Sequence, residues 1–297
     1  MKIFNKFIQG VWNVGIIEKK FDELIKNPND FEIKWVKHKY KDRFFADPFL
    51  YKVDDKNYYI LVEEFPFYSN VGFISLLTVD KKSMKLICKK KVIKESWHLS
   101  YPFVLGDKII PEAYRSGVST AYRFDGDKVV NKSKFFDSGI IDQTLVEYNG
   151  NEFLFATNEN KPLASLSLYY RKKGNVDWKA HPLNPVKDDI KTARPGGKAF
   201  YYNEMLLRPV QDSEERYGRK IRIMRIDKLS ESEFEETEIC SFSSDKNPPY
   251  NLALHTFNVE QNFIVVDGYR EYHSLFIRPM CLKLPKLMKY FGEKNED

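Results

Sequence analysis

The chain has 297 residues, of which 42% are hydrophobic, 15% aromatic and 30% charged, and its net charge is +6. This length fits one large domain or two small ones, and the many tyrosines and phenylalanines favour β structure over a helical bundle or a disordered chain. The basic excess is small and shows no obvious stripe, which argues against a dedicated nucleic-acid-binding protein.

Signals for targeting or covalent cross-linking are few. The three cysteines, Cys88, Cys240 and Cys281, are scattered and have neither a disulfide pattern nor a metal-site spacing. The apolar N-terminal run is interrupted by polar residues and lacks a cleavage site, so a signal peptide is not expected. No apolar run reaches the roughly 18 residues that a membrane-spanning helix needs. We therefore expect a cytoplasmic protein.

In chain order, the first strand signal is the alternation of FEIKWVKHK from Phe31, and five two-strand segments follow it. Each of the five begins with a polar residue, often before proline, and continues as an apolar strand, a polar turn and a second strand. They are ADPFLYKVDDKNYYILVEEF from Ala46, SYPFVLGDKIIPEAYRSG from Ser100, IDQTLVEYNGNEFLFATNEN from Ile141, ARPGGKAFYYNEMLLRPVQD from Ala193 and LHTFNVEQNFIVVDGYR from Leu254. The final LKLPKLMKYFGEKNED is expected to form a short basic helix or tail.

The spacing of these segments predicts an all-β fold, a single five-bladed β-propeller over residues 1–297. Aligned at Pro48, Pro102, Gln143, Pro195 and Thr256, the segments recur at intervals of 54, 41, 52 and 61 residues, or 52 on average. About 50 residues suit a four-stranded blade with its turns. The segment from residue 31 is expected to supply the outermost strand of the last blade and close the ring. A β-sandwich built from similar hairpins is the alternative.

In such a propeller, the start of each inner strand and the end of the next strand can present side chains at one mouth of a central funnel. The inner strands begin with Asp47, Tyr101, Asp142, Arg194 and His255. The second strands end with Glu63 or Glu64, Glu112, Thr157, Arg208 with Gln211 and Asp212, and Asp267. His98, Arg115 and Arg270 lie close to these positions in the sequence. We predict a polar substrate site; the alternative is that these groups are buried ion pairs.

The quoted motifs resemble two related families. FFADPFL followed by IDQTLV is similar to the superfamily of five-bladed propellers that includes the family 43 glycoside hydrolases. That resemblance implies that Asp47 is a general base and that Asp142 tunes the pKa of the general acid. The fourth repeat reads RPVQD and lacks the Glu-Gly-Pro-like acid motif of those hydrolases, so Glu112 in IPEAY is the remaining candidate acid.

A closer resemblance is to the N-terminal propeller of plant glucosamine inositolphosphorylceramide transferases and its bacterial relatives. It rests on ADPFL, SYPFV, IPEAY, ID, HPLNPV, ARPGGKAF, RPVQD, YG, HTFN and DGYR, in this order between Ala46 and Arg270. The resemblance implies a role in assembling cell-surface polysaccharide or glycolipid. The plant relatives carry a separate transferase domain after the propeller, so a non-catalytic glycan-binding role stays open.

The arginines favour a transferase over a hydrolase. A neutral sugar chain does not require several guanidinium groups, whereas a phosphate does, because arginine binds it through two parallel hydrogen bonds. We therefore expect a glycosyltransferase that binds a nucleotide- or phosphate-activated sugar and a glycan acceptor. The alternatives are a glycoside hydrolase with Asp47 as base and Glu112 as acid, or a glycan-binding propeller. We expect no cofactor, metal or nucleic acid, and at most a weak membrane contact through the basic C-terminal tail.

Overall fold

The computed structural model describes residues 8–28, 30–69 and 71–273, and these residues form five antiparallel sheets, one short α-helix and a 3-10 helix at Tyr114–Ser116. The sheets are the blades of a five-bladed β-propeller, which confirms the predicted fold. Strands are numbered in chain order below, and each blade is given from its innermost to its outermost strand. The predicted C-terminal helix or tail and Cys281 lie outside the described residues.

Each of the first four blades comes from one continuous part of the chain. Blade 1 contains β3 (Arg43–Val53), β4 (Asn57–Pro66), β5 (Phe73–Asp80) and β6 (Leu86–Ile93). Blade 2 contains β7 (Ser100–Leu105), β8 (Lys108–Glu112), β9 (Ser119–Phe124) and β10 (Val129–Phe136). Blade 3 contains β11 (Ile141–Tyr148), β12 (Asn151–Thr157), β13 (Ser165–Lys172) and β14 (Lys179–Ala180), and β15 (Lys187–Asp188) also pairs with β13. Blade 4 contains β16 (Phe200–Tyr202), β17 (Met205–Asp212), β18 (Lys220–Leu229) and β19 (Phe234–Phe242).

Blade 5 joins the two ends of the described chain. Its strands are β20 (Phe257–Val259), β21 (Ile264–His273), β1 (Ile8–Ile17) and β2 (Lys34–Trp35). β1 pairs with β21 along its whole length, and the helix α1 (Phe21–Lys26) connects β1 to β2. The segment from Phe31 thus provides the outermost strand. The sequence analysis missed β1, whose glycines and polar residues break its alternating pattern.

The hydrophobic core lies between the faces of neighbouring blades. Between blades 5 and 1, fully buried Val14 and Val265 pack in one cluster with Phe45, Ile60 and Leu77. Equivalent clusters join the other blades, so each blade is sandwiched by its neighbours and buries alternate side chains on both faces.

Three inner strands carry the same local distortion near their first residues. Asp47, Tyr101 and Asp142 have positive φ angles of 50°, 41° and 48°. In each of these strands, two residues lie opposite a single residue of the partner strand. This irregularity in the hydrogen-bonded pairing is a β-bulge. A left-handed backbone costs a non-glycine residue about 1–2 kcal/mol. The bulges thus occur at the same point of three neighbouring inner strands, at residues that are 54 and 41 positions apart in the sequence.

The basic excess is concentrated on the outer edge of blade 1, so the expectation of no basic stripe is wrong. Residues 81–94 contain seven lysines and no acidic residue, and most of this segment forms β6. Lys89 pairs with Glu64 and Lys90 with Asp127, so neighbouring strands and blades compensate part of the charge.

Candidate active site at the start of the inner strands

Buried carboxylates link neighbouring blades through backbone N–H groups. Asp267 Oδ2 accepts a hydrogen bond of 3.1 Å from the N–H of Asp47, and Asp47 Oδ2 accepts one of 3.1 Å from the N–H of Tyr101. Glu112 Oε2 accepts one of 3.3 Å from the N–H of Asp142. Each donor is one of the three left-handed residues. The carboxylates thus hold the bulges in place. We use the name central cluster for Asp47, Glu63, Glu112, Asp142, Arg194, His255 and Asp267.

His255 lies between two carboxylates. Its Nδ1 is 2.6 Å from Asp267 Oδ2, although not in line for a hydrogen bond, and its Nε2 is 3.5 Å from Asp47 Oδ1. Trp12 stacks on the imidazole with a ring-centre distance of 3.9 Å. Burial alone would lower the pKa of His255, but Asp267 and Asp47 outweigh it and raise the pKa. The arrangement favours a cationic imidazole against Asp47.

Asp47 is a candidate base. Burial raises its pKa to about 6; His255 opposes this shift, and the charges of Asp142 and Asp267 add to it. At pH 7 such a carboxyl is ionised in about nine of ten molecules, yet it holds a proton far better than an ordinary aspartate. A pKa near the working pH suits a group that accepts a proton in a reaction.

Glu112 is a candidate acid. Burial, followed by the charge and a hydrogen bond of Asp142, raises the pKa of Glu112 well above its usual range. Asp142 Oδ2 in turn accepts hydrogen bonds of 2.6 Å from Arg194 Nε and 2.7 Å from Gln211 Nε2. Asp142 thus has two side-chain donors, whereas Glu112 accepts only the N–H of Asp142 among the described residues, and this difference favours a proton on Glu112.

A second carboxyl–imidazole pair adjoins this cluster. His98 Nε2 is 3.3 Å from Glu63 Oε1, while His98 Nδ1 accepts a hydrogen bond from the N–H of Gly72. Burial and then Arg115 lower the pKa of His98 to about 4, so the imidazole is neutral at pH 7, and because Nδ1 accepts a bond its proton lies on Nε2. Burial and the charges of Asp47 and Asp142 raise the pKa of Glu63 well above its usual range.

Other predicted residues lie away from the cluster. Glu64 points into blade 1, where it pairs with Arg43 and Lys89 and accepts a bond from Ser75. Arg208 is fully buried and binds Glu236 on the outermost strand of blade 4. Asp212 pairs with Arg222 and Lys220 within blade 4. Glu63 lies in the cluster and Glu64 does not, because neighbouring residues of a strand point to opposite sides of the sheet.

The remaining predicted residues lie below, at the rim of, or beside the cluster. Tyr101 is fully buried, and its hydroxyl lies 3.2 Å from Thr144 Oγ1, beneath the carboxylates. Arg115 is exposed near His98 and forms no ion pair with a described residue. Arg270 lines a separate pocket between blades 5 and 1.

The sequence analysis missed two aromatic residues. Trp12 is buried against His255, as described above. Tyr217, which is 42% exposed, lies edge-on to both His255 and Trp12, with the Arg194 guanidinium 5.3 Å from its ring centre. An exposed ring beside buried carboxylates is suited to stack on a sugar. The YG motif was the available signal for Tyr217, whereas β1 gave none for Trp12.

Three side chains of the cluster could hold a divalent cation. Asp47, His255 and Asp267 each offer a ligand atom, and these atoms lie within 4.8 Å of one another. However, Asp267 Oδ1 already accepts bonds of 3.0 Å from the N–H groups of His255 and Thr256, and Asp47 holds Tyr101. The three side chains are thus accounted for by protein partners.

Comparison with known proteins identifies related sequences. The sequence model of the family described as glucosamine inositolphosphorylceramide transferase 1, N-terminal, matches residues 26–258. Glucosamine inositolphosphorylceramide transferase 1 of Arabidopsis thaliana is 30% identical over 254 residues, covering 76% of this chain and 32% of that protein. The protein of that name from Oryza sativa subsp. japonica is 30% identical over 213 residues, covering 67% and 28%. The chain thus spans about a third of these relatives' length.

Solved structures with a similar arrangement include two glycoside hydrolases. A family 117 glycoside hydrolase from Zobellia galactanivorans aligns with a TM-score of 0.44 and 13% identity, covering 89% of this chain and 92% of that chain. A GH43_1 enzyme from Xanthomonas citri aligns with a TM-score of 0.47 and 10% identity, covering 79% and 88%. Among the described residues, no helix has the length and apolar character needed to cross a membrane.

Proposed function

The chain belongs to the family of glucosamine inositolphosphorylceramide transferase 1 N-terminal regions, and from this premise we propose that it is a glycosyltransferase of glycolipid or surface-glycan biosynthesis. Its substrates are a sugar activated by a phosphate or nucleotide and a glycan acceptor. They bind where the inner strands begin, in the funnel above the central cluster.

The observation that carries this proposal is the unequal state of two carboxyl groups on adjacent blades. Asp47 has a pKa of about 6 beside His255, whereas the pKa of Glu112 is raised well above its usual range beside Asp142. Environments that push two carboxyl groups apart in this way assign one as base and the other as acid. The raised pKa of Glu112 and the pKa of about 6 at Asp47 supply the proton donor and the proton acceptor that such a reaction needs.

The proposed transfer uses Asp47 as the base. Asp47 accepts the proton of the acceptor hydroxyl while the acceptor oxygen bonds to the anomeric carbon of the donor sugar. The bond from that carbon to the phosphate oxygen breaks, and its electron pair leaves with the phosphate. Arg194 and exposed Arg115 stabilise the leaving phosphate, with Glu112 as a hydrogen-bond donor to it. Tyr217 contacts the sugar ring.

Glycoside hydrolysis is the second candidate, and the same pair of carboxyl groups favours it. In an inverting hydrolase, Asp47 would activate water and Glu112 would protonate the leaving oxygen across a gap of roughly 6.5–9.5 Å. The two candidates differ in the leaving group, which is a phosphate in one and a sugar hydroxyl in the other.

The test is to incubate the protein with nucleotide-sugars, sugar phosphates and neutral oligosaccharides, and to measure released nucleotide or phosphate and released reducing sugar. Asp47→Asn and Glu112→Gln should each lower turnover by about 100-fold or more, because general acid–base groups contribute roughly that much. Asp107→Asn, at an exposed aspartate that pairs with Arg123, is the matched control and should leave turnover unchanged.

The outcomes separate the candidates. Nucleotide or phosphate release that requires both an acceptor and Asp47 supports the transferase. Reducing-sugar release without an activated donor supports hydrolysis instead. Saturable binding of a glycan to the wild-type protein with no turnover on any substrate overturns both and leaves a glycan-binding propeller.

A further inference from the structure

A second cavity lies between blades 5 and 1, and Trp12, which stacks on His255, is one of the residues that line it. It has a volume of about 390 Å³ and is lined by β1, β21, the segment that leads from β2 into β3, and the loop that contains Tyr250. No carboxylate is among the described residues that line it. The lining instead combines aromatic rings with cationic side chains, so we call this cavity the cationic pocket.

Arg270 supplies the least compensated charge in the cationic pocket. Its guanidinium lies 4.7 Å from the ring centre of Tyr250 and 5.4 Å from that of Tyr272. Its Nε is buried without a hydrogen-bond acceptor, and it forms no ion pair with a described residue. Arg43 in the same lining differs, because Asp42 and Glu64 pair with it. A buried donor without an acceptor is costly, so the site is built for an acceptor that a ligand would bring.

The other polar groups of the lining have the same character. His38 Nδ1 is buried without a partner. Burial, and then the charge of Arg270, lowers the pKa of His38 to about 4, so His38 adds no charge at pH 7 that would offset Arg270. Lys39 and Lys41 are exposed at its edge and form no ion pair with a described residue.

We propose that the cationic pocket binds a phosphate ester, with its phosphate on Arg270 and the two rim lysines and its organic part against Tyr40 and Trp12. A guanidinium in contact with two aromatic rings loses less conformational freedom when it binds, and its planar fork can form two parallel bonds to one phosphate. This proposal rests on the pocket's own residues and does not depend on transfer chemistry in the central cluster.

Titration calorimetry and NMR of the whole chain test this proposal. The probes are inorganic phosphate, uridine diphosphate and inositol 1-phosphate, with uridine and inositol as neutral counterparts. We expect at least one ester to bind at least tenfold more tightly than its neutral counterpart. The same ester should raise the pKa of His38 by at least one unit, because the bound anion offsets Arg270. Loss of a signal in His38→Gln assigns the resonance.

Variants locate the binding. Arg270→Gln should weaken binding of the ester by at least tenfold. The double variant Lys39→Gln with Lys41→Gln should weaken its binding by at least threefold. The lysines are exposed, so the double variant folds even where Arg270→Gln does not. Lys82→Gln, at another exposed lysine of blade 1, is the control and should bind normally.

Binding of uridine diphosphate alone identifies a nucleotide ligand, and binding of inositol 1-phosphate alone identifies a lipid headgroup; either supports the site. Three results would overturn the proposal. The first is equal affinity for the neutral counterparts. The second is binding of inorganic phosphate alone. The third is an ester that binds without changing the pKa of His38 and binds the lysine double variant as tightly as the wild type.

Discussion

At the scale of single residues, Glu112 and Asp142 show how one carboxyl pair can hold two different states. Asp142 accepts bonds from Arg194 and Gln211, whereas Glu112 receives only the N–H of Asp142 besides its contact with the Asp142 carboxylate. Ionising both groups would place two buried charges in contact. A proton on Glu112 avoids this contact, and under the proposed function this is the proton that Glu112 offers to a substrate.

Substitutions in this pair should have unequal effects on stability. A protonated glutamic acid and a glutamine have the same shape and charge, so Glu112→Gln should change the free energy of unfolding by less than about 0.5 kcal/mol. Asp142→Asn removes the charge that compensates buried Arg194 and should cost roughly 3 kcal/mol. Urea denaturation at pH 7 measures both. Equal destabilisation by the two substitutions would show that Glu112 is ionised in the native protein.

At the scale of elements, closure of the ring depends on the close approach of β1 and β2. Gly15 pairs with Trp35, and a Cβ at Gly15 would lie 2.3 Å from Ile33 Cγ2 and 2.8 Å from the Trp35 ring. The absence of a side chain at this position therefore allows the outer strand to pack on β1.

Gly15→Val should open this contact and destabilise the protein by roughly 3 kcal/mol, because overpacking a dense core forces side chains and backbone apart. Gly106→Ala is the control. Gly106 has φ of 59° with no neighbouring atom within 4 Å of an added Cβ, so backbone strain alone should cost about 1 kcal/mol. Thermal and urea unfolding measure both variants, and equal losses would contradict the packing argument.

At the scale of the whole molecule, buried titrating groups set the dependence of stability on pH. The pKa values of Asp47, Glu63, Glu112 and His255 are raised in the folded state. The folded protein binds protons at these sites more tightly than the unfolded chain does. The stabilisation that these groups provide is therefore lost as the pH rises through their folded-state pKa values. The lowered pKa values of His38 and His98, both about 4, have the opposite effect between pH 4 and 6.5.

Below pH 6.5 the groups with raised pKa values and the two histidines with lowered pKa values change stability in opposite directions. Above pH 6.5 only the groups with raised pKa values still affect it. We therefore expect maximal stability between roughly pH 5 and 7 and a decline toward pH 9. Melting temperatures across this range measure the curve. Glu63→Gln combined with Glu112→Gln should flatten the alkaline decline, since neither site can then lose a proton. An alkaline slope identical to that of the wild type would contradict raised pKa values at these glutamates.

The sequence by itself determined the blade repeat, because turn chemistry and alternating burial are local properties that recur with each blade. It also placed Asp47, Asp142, Arg194 and His255 at equivalent repeat positions, and the structure brings these four side chains together. That Glu63 and not Glu64 faces them is evident only from the tertiary structure. A shift of the strand by one residue would exchange the sides to which the two glutamates point. The pairing of β1 with β21 joins residues about 250 positions apart, from Ile17 with Ile264 to Ile8 with His273, and the cationic pocket around Arg270 depends on that pairing. No local pattern specifies such contacts, because they form only when the ring closes.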